Sequence, residues 1–257
     1  MDLIGDRFLK IRTLGRGAAG EVIEAAVTKK CEYANLGDKV AIKIYSPWVL
    51  SQKNEDMRIE RELRVGLSLN SPYVVKTREL GRDHGSLFLV MELLQGTTLS
   101  QWIQKTPKPQ FQEIAKILTN IAEGLYVIHE HGLIHRDVKP DNIMITNRGA
   151  VLMDLGVIKD PRESTITEGR FLGTIRYAAP EYLFGESYDA QIDSYSFGAV
   201  LYEMAFGEPL IEPGLYWSKQ VISKSSYEFT DWRFKGELYD RLGFREARFL
   251  ASILQGT

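Results

Sequence analysis

The sequence contains a single cysteine, Cys31, in 257 residues. One thiol excludes an internal disulfide and suits a reducing compartment, so the expected location is cytoplasmic, or the cytoplasmic part of a longer protein. Cys31 lies in a polar stretch and carries no evident chemistry. Histidine is also scarce, with four in the chain. His129 and His131 end an apolar-periodic segment with no clustered Cys or third His, which points to packing and capping rather than metal. His84 sits in a turn. No apolar run reaches the roughly 20 residues that span a bilayer. Met1-Asp2-Leu3-Ile4-Gly5-Asp6 lacks the basic and apolar regions of a secretory leader. Neither charge sign dominates: 32 Lys and Arg face 34 Asp and Glu, for a net −2. No strong field toward nucleic acid or a membrane surface follows. What remains is an ordinary globular composition and a length sufficient for one large domain or two lobes.

Phe8 to Leu14 alternates apolar and polar residues and reads as a strand. Gly15-Arg16-Gly17-Ala18-Ala19-Gly20-Glu21-Val22 follows, then the apolar-rich Ile23 to Val27. Strand, glycine turn and strand make a hairpin whose glycines let the backbone approach phosphates. A dinucleotide-binding turn needs a helix to begin at the last glycines. The β-branched Val22, Ile23 and Val27 favour a strand there. A polar loop with Asn35 and Gly37 leads into Val40-Ala41-Ile42-Lys43-Ile44, a short apolar strand with an embedded lysine. Ser51 to Leu69 reads as a helix, ended by Asn70-Ser71-Pro72. Tyr73 to Leu80 and Leu87 to Met91 read as strands around the Asp83-His84-Gly85 turn.

Gly96 precedes a short helix from Thr98 and Leu99 through Trp102. Phe111 to His131 places Ile114, Ile117, Leu118, Ile121, Leu125 and Ile128 on one helical face. Ile143-Met144-Ile145 and Val151-Leu152-Met153 flank Asn147-Arg148-Gly149 as a small hairpin. Asp160 to Gly169 is a polar loop. Ala190 to Phe206 and Phe244 to Leu254 read as helices.

Between these elements lie His135-Arg136-Asp137-Val138-Lys139-Pro140-Asp141-Asn142, then Asp154-Leu155-Gly156, Gly173-Thr174 and Ala179-Pro180-Glu181. Together with the glycine loop and Val-Ala-Ile-Lys upstream, they resemble, in order and spacing, the eukaryotic-type serine/threonine protein kinase family over about residues 8 to 254. The Ile4-Gly5-Asp6-Arg7-Phe8 opening looks like bacterial members. The resemblance implies an α+β, two-lobed protein kinase fold. A small antiparallel sheet with one helix, residues 1–94, binds ATP. A larger, mainly helical lobe, residues 95–257, carries catalysis and substrate binding. That lobe is expected to be incomplete at its C-terminal end, because the family arginine that pairs with Glu181 falls just beyond a helix such as Phe244 to Leu254.

The resemblance also implies roles. Asp137 orients the attacking hydroxyl and takes its proton, and Lys139, the serine/threonine form of the loop, neutralises γ-phosphate charge. Thr174 hydrogen-bonds beside them. Asn142 and Asp154 hold Mg²⁺, with Mn²⁺ as an alternative. Lys43 contacts the α/β-phosphates and pairs with Glu62, nineteen residues on. Glu60 is the second choice; the two cannot both face Lys43, because residues two apart point to different sides of a helix. The nucleotide contacts expected are Gly15, Arg16, Gly17, Ala18, Ala19 and Gly20 over the phosphates. Val22, Ala41 and Met144 sandwich the adenine, Met91 lies behind it, and the hinge of Glu92, Leu93 and Leu94 reads its edge through backbone. Thr98 is the last of the nucleotide contacts.

Arg136 is expected to hold a phosphorylated Ser164, Thr165 or Thr167, Arg170 occupying the position where many relatives carry that threonine. Asp193 braces the catalytic loop, and Asp141 and Glu203 favour basic substrate side chains. Gly66 and Thr77 fall where the family stacks apolar side chains, so the helix is expected to be loosely held. A protein substrate, and a kinase dimer or activating partner, are the partners implied. The activity implied is transfer of the γ-phosphoryl group of Mg·ATP to protein serine or threonine, the chain itself included. The alternative is a weakly active or inactive kinase-fold scaffold that signals by ATP-dependent conformation. Retention of Lys43, Asp137, Asn142 and Asp154 counts against it. A small-molecule phosphotransferase lacks the segment built by Gly173-Thr174 and Ala179-Pro180-Glu181.

Overall fold

The computed structural model describes residues 3–17, 20–46, 60, 63–154, 176–183 and 186–210. Ala18, Ala19, Glu62, Leu155-Gly156, Ser164, Thr165, Thr167, Arg170, Gly173-Thr174 and Phe244 to Leu254 lie outside the described residues.

Six strands form one antiparallel sheet in the order β1-β2-β3-β4-β6-β5. They are β1 (Leu3–Ile4), β2 (Phe8–Gly17), β3 (Gly20–Val27), β4 (Lys39–Tyr45), β5 (Thr77–Asp83) and β6 (Ser86–Glu92). A strand begins at Gly20, so the glycine stretch is a hairpin and the dinucleotide-turn alternative falls. The sheet curls until its edges approach: Arg7, after β1, reaches Glu79 of β5 at 2.6 Å, and Glu79 also accepts from the Tyr33 hydroxyl at 2.6 Å. The strand period of two sorts the side chains. Phe8, Ile23, Val40, Ile42, Phe88 and Val90 build one small core, with Phe8 edge-on to Phe88. Ala41, Tyr45, Leu89 and Met91 join the larger core that continues into the helical lobe.

The helix expected over Ser51 to Leu69 is described at Glu60 and 63–66; it gives way to a turn at 67–68. Gly66 and Thr77 meet through a hydrogen bond, the buried Thr77 hydroxyl donating to the Gly66 carbonyl at 2.9 Å. A polar tether therefore joins the described end of this helix to β5 where the expectation was a gap in an apolar stack.

The strand expected from Tyr73 starts only at Thr77, because residues 73–75 are held elsewhere. Val75 N–H donates to Leu152 O and Leu152 N–H to Tyr73 O, both at 2.8 Å. Val74 pairs there in parallel with Leu152.

The second lobe begins with β7 (Thr97–Thr98) and α1 (Leu99–Lys105). Thr98 caps α1, its hydroxyl accepting from the Gln101 N–H at 3.2 Å. The apolar stripe of α2 (Phe111–Glu130) is buried as its spacing predicts, against β9 (Gly149–Leu152) and α4 (Gln191–Phe206). β8 (Ile143–Thr146) links β7 and β9 in a three-stranded sheet. The short α3 (Pro180–Leu183) precedes α4. α4 is buried on all sides rather than along one stripe, from Ile192 to Ala205, as befits the helix at the centre of a lobe. Among the described residues, no helix is long and apolar enough to cross a membrane.

Candidate active site

Asp193, at the first turn of α4, is fully buried. A buried carboxylate persists only with its lone pairs satisfied. One oxygen accepts from His135 N–H at 2.8 Å and meets His129 Nε2 at 2.8 Å; the other accepts from Arg136 N–H at 2.8 Å. This grip explains Arg136, whose φ of 63° is costly for a residue with a Cβ and needs such support. His129, expected to pack or cap, thus braces the loop through Asp193. His131 Nδ1 donates to Val127 O at 2.8 Å.

His135 is buried beneath the loop. Its Nδ1 accepts from Asp137 N–H at 3.4 Å, so its Nε2–H donates to Met153 O at 3.0 Å. Met153 N–H donates to Asn142 O at 2.8 Å. The segment leading to Asp154 is therefore clamped on both sides by the catalytic loop. Asp154 follows directly at φ 50°, a second residue of the site in the left-handed region.

Five expected site residues converge here. Asp137, buried, accepts at Oδ2 from Asn142 Nδ2 at 2.8 Å and from Lys139 Nζ at 2.9 Å. Asn142 Nδ2 also donates to Asp137 O at 2.9 Å, closing the 3₁₀ turn Pro140–Asn142. From the sheet, β4 delivers Lys43, buried, to an ion pair with Asp154. Burial works against the lysine charge. The Asp154 carboxylate, helped by Asp137 farther off, more than offsets it and holds the ammonium above the usual lysine range.

Glu60 does not meet Lys43. It faces outward, pairing with Arg64 at 2.6 Å and with Arg82 of β5 at 2.9 Å. That removes the second choice for the Lys43 partner.

The glycine hairpin is stapled by Glu21, which takes Lys10 at 2.9 Å, the Thr13 hydroxyl at 2.5 Å and Arg16 at 3.3 Å. Gly15 and Gly17 face open space, whereas a Cβ on Gly20 would lie 1.9 Å from Ile44 O. Gly20 is therefore required by the approach of β3 to β4, a reason separate from phosphate. Two irregularities of register leave Ile11 and Leu14 exposed at 45% and 41%. Leu14, at the mouth of the hairpin, was not singled out by sequence reasoning, because a leucine before a glycine turn reads as core.

Val22 pairs with Lys43 and Ala41 with Met91, and Met144 pairs with Thr98. Glu92 N–H is taken by Lys76 O at 2.9 Å, so it is not available to a ligand. The Thr98 hydroxyl accepts the Gln101 N–H of its helix cap.

Below the loop, the Tyr177 hydroxyl donates to Glu203 at 2.5 Å. Burial raises the Glu203 pKa, while Tyr177 and Arg176 partly restore its charge and Asp141 opposes it. This link between the Ala179-Pro180-Glu181 segment and α4 was invisible in sequence, where Tyr177 and Glu203 are 26 residues apart.

A cleft that puts a lysine, two carboxylates and a carboxamide between a curled sheet with a glycine hairpin and a helical lobe defines a protein kinase. The chain belongs to that family: the protein kinase domain model matches residues 8–247. Among relatives, it is 35% identical over 213 residues to the serine/threonine-protein kinase Pkn2 of Myxococcus xanthus, covering 80% of this chain and 25% of that protein. It is 34% identical over 209 residues to the serine/threonine-protein kinase PknH of Mycobacterium tuberculosis, covering 80% and 32%. The fold superposes on Rad53 in complex with AMP-PNP with a TM-score of 0.75 at 26% identity, covering 98% of this chain and 61% of that one. The chain spans about a quarter to a third of the length of the curated relatives it matches.

Proposed function

We propose that this protein transfers the γ-phosphoryl group of Mg·ATP to serine or threonine hydroxyls of proteins, itself included. The observation that carries the reading is the junction of Lys43 and Asp154 with Asp137, Lys139 and Asn142. The substrate oxygen forms a bond to the γ-phosphorus while the bond to the β–γ bridging oxygen breaks. The hydroxyl proton passes to Asp137, and ADP leaves. Lys139 neutralises charge on the phosphoryl group in transit, and Thr174 completes the loop's hydrogen bonding.

Mg²⁺ supplies charge neutralisation across the β- and γ-phosphates when bound. The residues present fit it. Asn142 spends its amide nitrogen on Asp137, and its side-chain oxygen and the Asp154 carboxylate are the hard ligands that would hold the ion. Two protein oxygens completed by phosphates and water are the usual magnesium shell.

The adenine lies between Val22, Ala41 and Met144, with Met91 behind and Leu14 at the mouth. Glu92 C=O and Leu94 N–H read its edge. The outward turn of Glu60 leaves Glu62, nineteen residues past Lys43 in the chain, as the active-state partner of Lys43. The same assignment divides the chain into a nucleotide lobe, 1–94, and a catalytic lobe, 95–257. Asp141 and Glu203 lie within electrostatic reach of one another and favour basic residues near the acceptor hydroxyl.

The experiment is incubation with Mg²⁺ and γ-labelled ATP, with and without a basic generic substrate protein, beside Asp137→Asn. Label incorporation that disappears in Asp137→Asn is expected. A protein that binds nucleotide and incorporates no label at all refutes the kinase reading in favour of a scaffold.

A further inference from the structure

Arg148 stands in the turn between β8 and β9, and in sequence it is merely a turn residue. In the structure it reaches out of the helical lobe to the last residue of β6. Its Nη1 donates to Glu92 Oε2 at 2.9 Å and its Nη2 to Oε1 at 2.6 Å, a two-pronged pair. The same Oε1 accepts from Lys76 N–H at 2.8 Å, and Glu92 N–H returns a bond to Lys76 O at 2.9 Å. Lys76 directly follows the segment held by Leu152 of β9. Three stretches of chain therefore meet on one carboxylate: the entry to β5, the end of β6 and the β8–β9 turn. The turn is itself set by Thr146, whose hydroxyl accepts from Arg148 N–H at 3.2 Å and donates to Gly149 O at 2.9 Å.

A guanidinium fork fixes direction as well as distance, which a point charge does not. Both side chains are partly shielded, at 35% and 20% exposure, so solvent screens the pair less than it would on an open surface. Burial disfavours the Glu92 charge, yet Arg148 and the Lys76 N–H hold its carboxyl below the usual range.

We propose that Arg148 is a positioning residue for the nucleotide. Through its fork to Glu92 it holds the hinge backbone in the arrangement that the adenine edge requires. Binding then does not have to order that backbone, and affinity is gained by preorganisation. The inference rests on the reading of this cleft as an adenine site, and it is independent of phosphoryl transfer.

The test is calorimetric titration of Mg·ADP into the protein and into Arg148→Met and Arg148→Lys, with steady-state kinetics alongside. Arg148→Met is expected to raise the Kd for Mg·ADP and the KM for ATP together by about 2- to 5-fold, the range of a partly exposed ion pair. The kcat should change by less than about twofold, and Arg148→Lys, with charge but no fork, should fall between. Glu92→Gln, which keeps the shape, must show the same direction and serves if Arg148→Met does not fold. Unchanged Mg·ADP affinity in a folded variant overturns the proposal, as does a loss confined to kcat. A wild type that binds Mg·ADP but transfers no phosphate refutes the kinase reading and leaves the affinity comparison decisive. A wild type that binds no Mg·ADP refutes both.

Discussion

Replacing Asp193 by asparagine exchanges one carboxylate oxygen for an NH₂ group at nearly constant volume. The backbone N–H groups of His135 and Arg136 lie on different oxygens of Asp193. Whichever way the new amide turns, one of them faces a donor. Keeping the oxygen toward His135 and His129 leaves Arg136 N–H opposed; reversing it strands His135 N–H, and no change of the His129 tautomer repairs that. Each hydrogen bond to a charged acceptor is worth roughly 1.5–3 kcal/mol, and a buried group left unpaired costs a further 1–3 kcal/mol. The bonds that survive become neutral and weaker. A loss of about 3–5 kcal/mol follows, which for a chain of this size lowers Tm by roughly 6–20 °C. Freed from its anchor, Arg136 relaxes from its φ of 63° and carries the adjacent Asp137 with it. Displacement of a catalytic group by about 1 Å costs up to roughly a hundredfold in rate. Circular-dichroism melts and phosphoryl-transfer rates below Tm measure both effects. A Tm within about 2 °C of wild type, with kcat retained, would refute the claim that this carboxylate holds the loop.

Two further substitutions probe the frame. A Cβ on Gly124 of α2 would lie 2.8 Å from Leu152 Cδ1 and 2.9 Å from Tyr73 O. The leucine can give but the hydrogen-bonded carbonyl cannot, so Gly124→Ala should destabilise by about 1–3 kcal/mol in urea unfolding. The helix-propensity gain of about 1 kcal/mol predicts the opposite sign if that contact is soft. Lys10, then Thr13, hold the Glu21 carboxyl down to about 2. Because its folded pKa lies below the unfolded value, its stabilisation is complete above about pH 4.5 and fades as pH falls toward 2. Glu21→Gln should therefore flatten the loss of stability between pH 5 and 3. Identical denaturant midpoints for both proteins across that window would mean that the pairing contributes nothing.

Local pattern was enough for much of the fold. The apolar stripe of α2 was legible because its burial repeats at the period of a helix. β2 was read from an alternation that its burial does not follow, since Ile11 and Leu14 are exposed, and β3 and β4 were read from apolar runs that the structure buries. The residues proposed for catalysis were legible because the proposed phosphoryl transfer requires particular groups at short fixed spacing: Asp137, Lys139 and Asn142 lie within six residues and meet in space through one 3₁₀ turn. The start of β5 was misplaced because Val74 and Val75 have strand-like side chains, but the backbone of Tyr73 and Val75 bonds to Leu152, 77 or more residues away, with Val74 paired between them. Gly66 and Thr77 read as a missing apolar contact, and their hydrogen bond lies 11 residues apart with no periodic signal.

By itself, the sequence determined the order of elements, the face that α2 buries and the chemical identity of the groups that meet in the cleft. Those follow from covalent spacing and side-chain type, which act locally. Tertiary structure alone decided that Lys43 pairs with Asp154, that Glu60 turns outward, that Asp193 carries three donors and that Arg148 reaches Glu92. Each of these depends on which charges and backbone groups are brought together from distant stretches and shielded from water. Coulomb attraction and the cost of an unpaired buried group choose among partners by distance in space, which composition and periodicity do not encode.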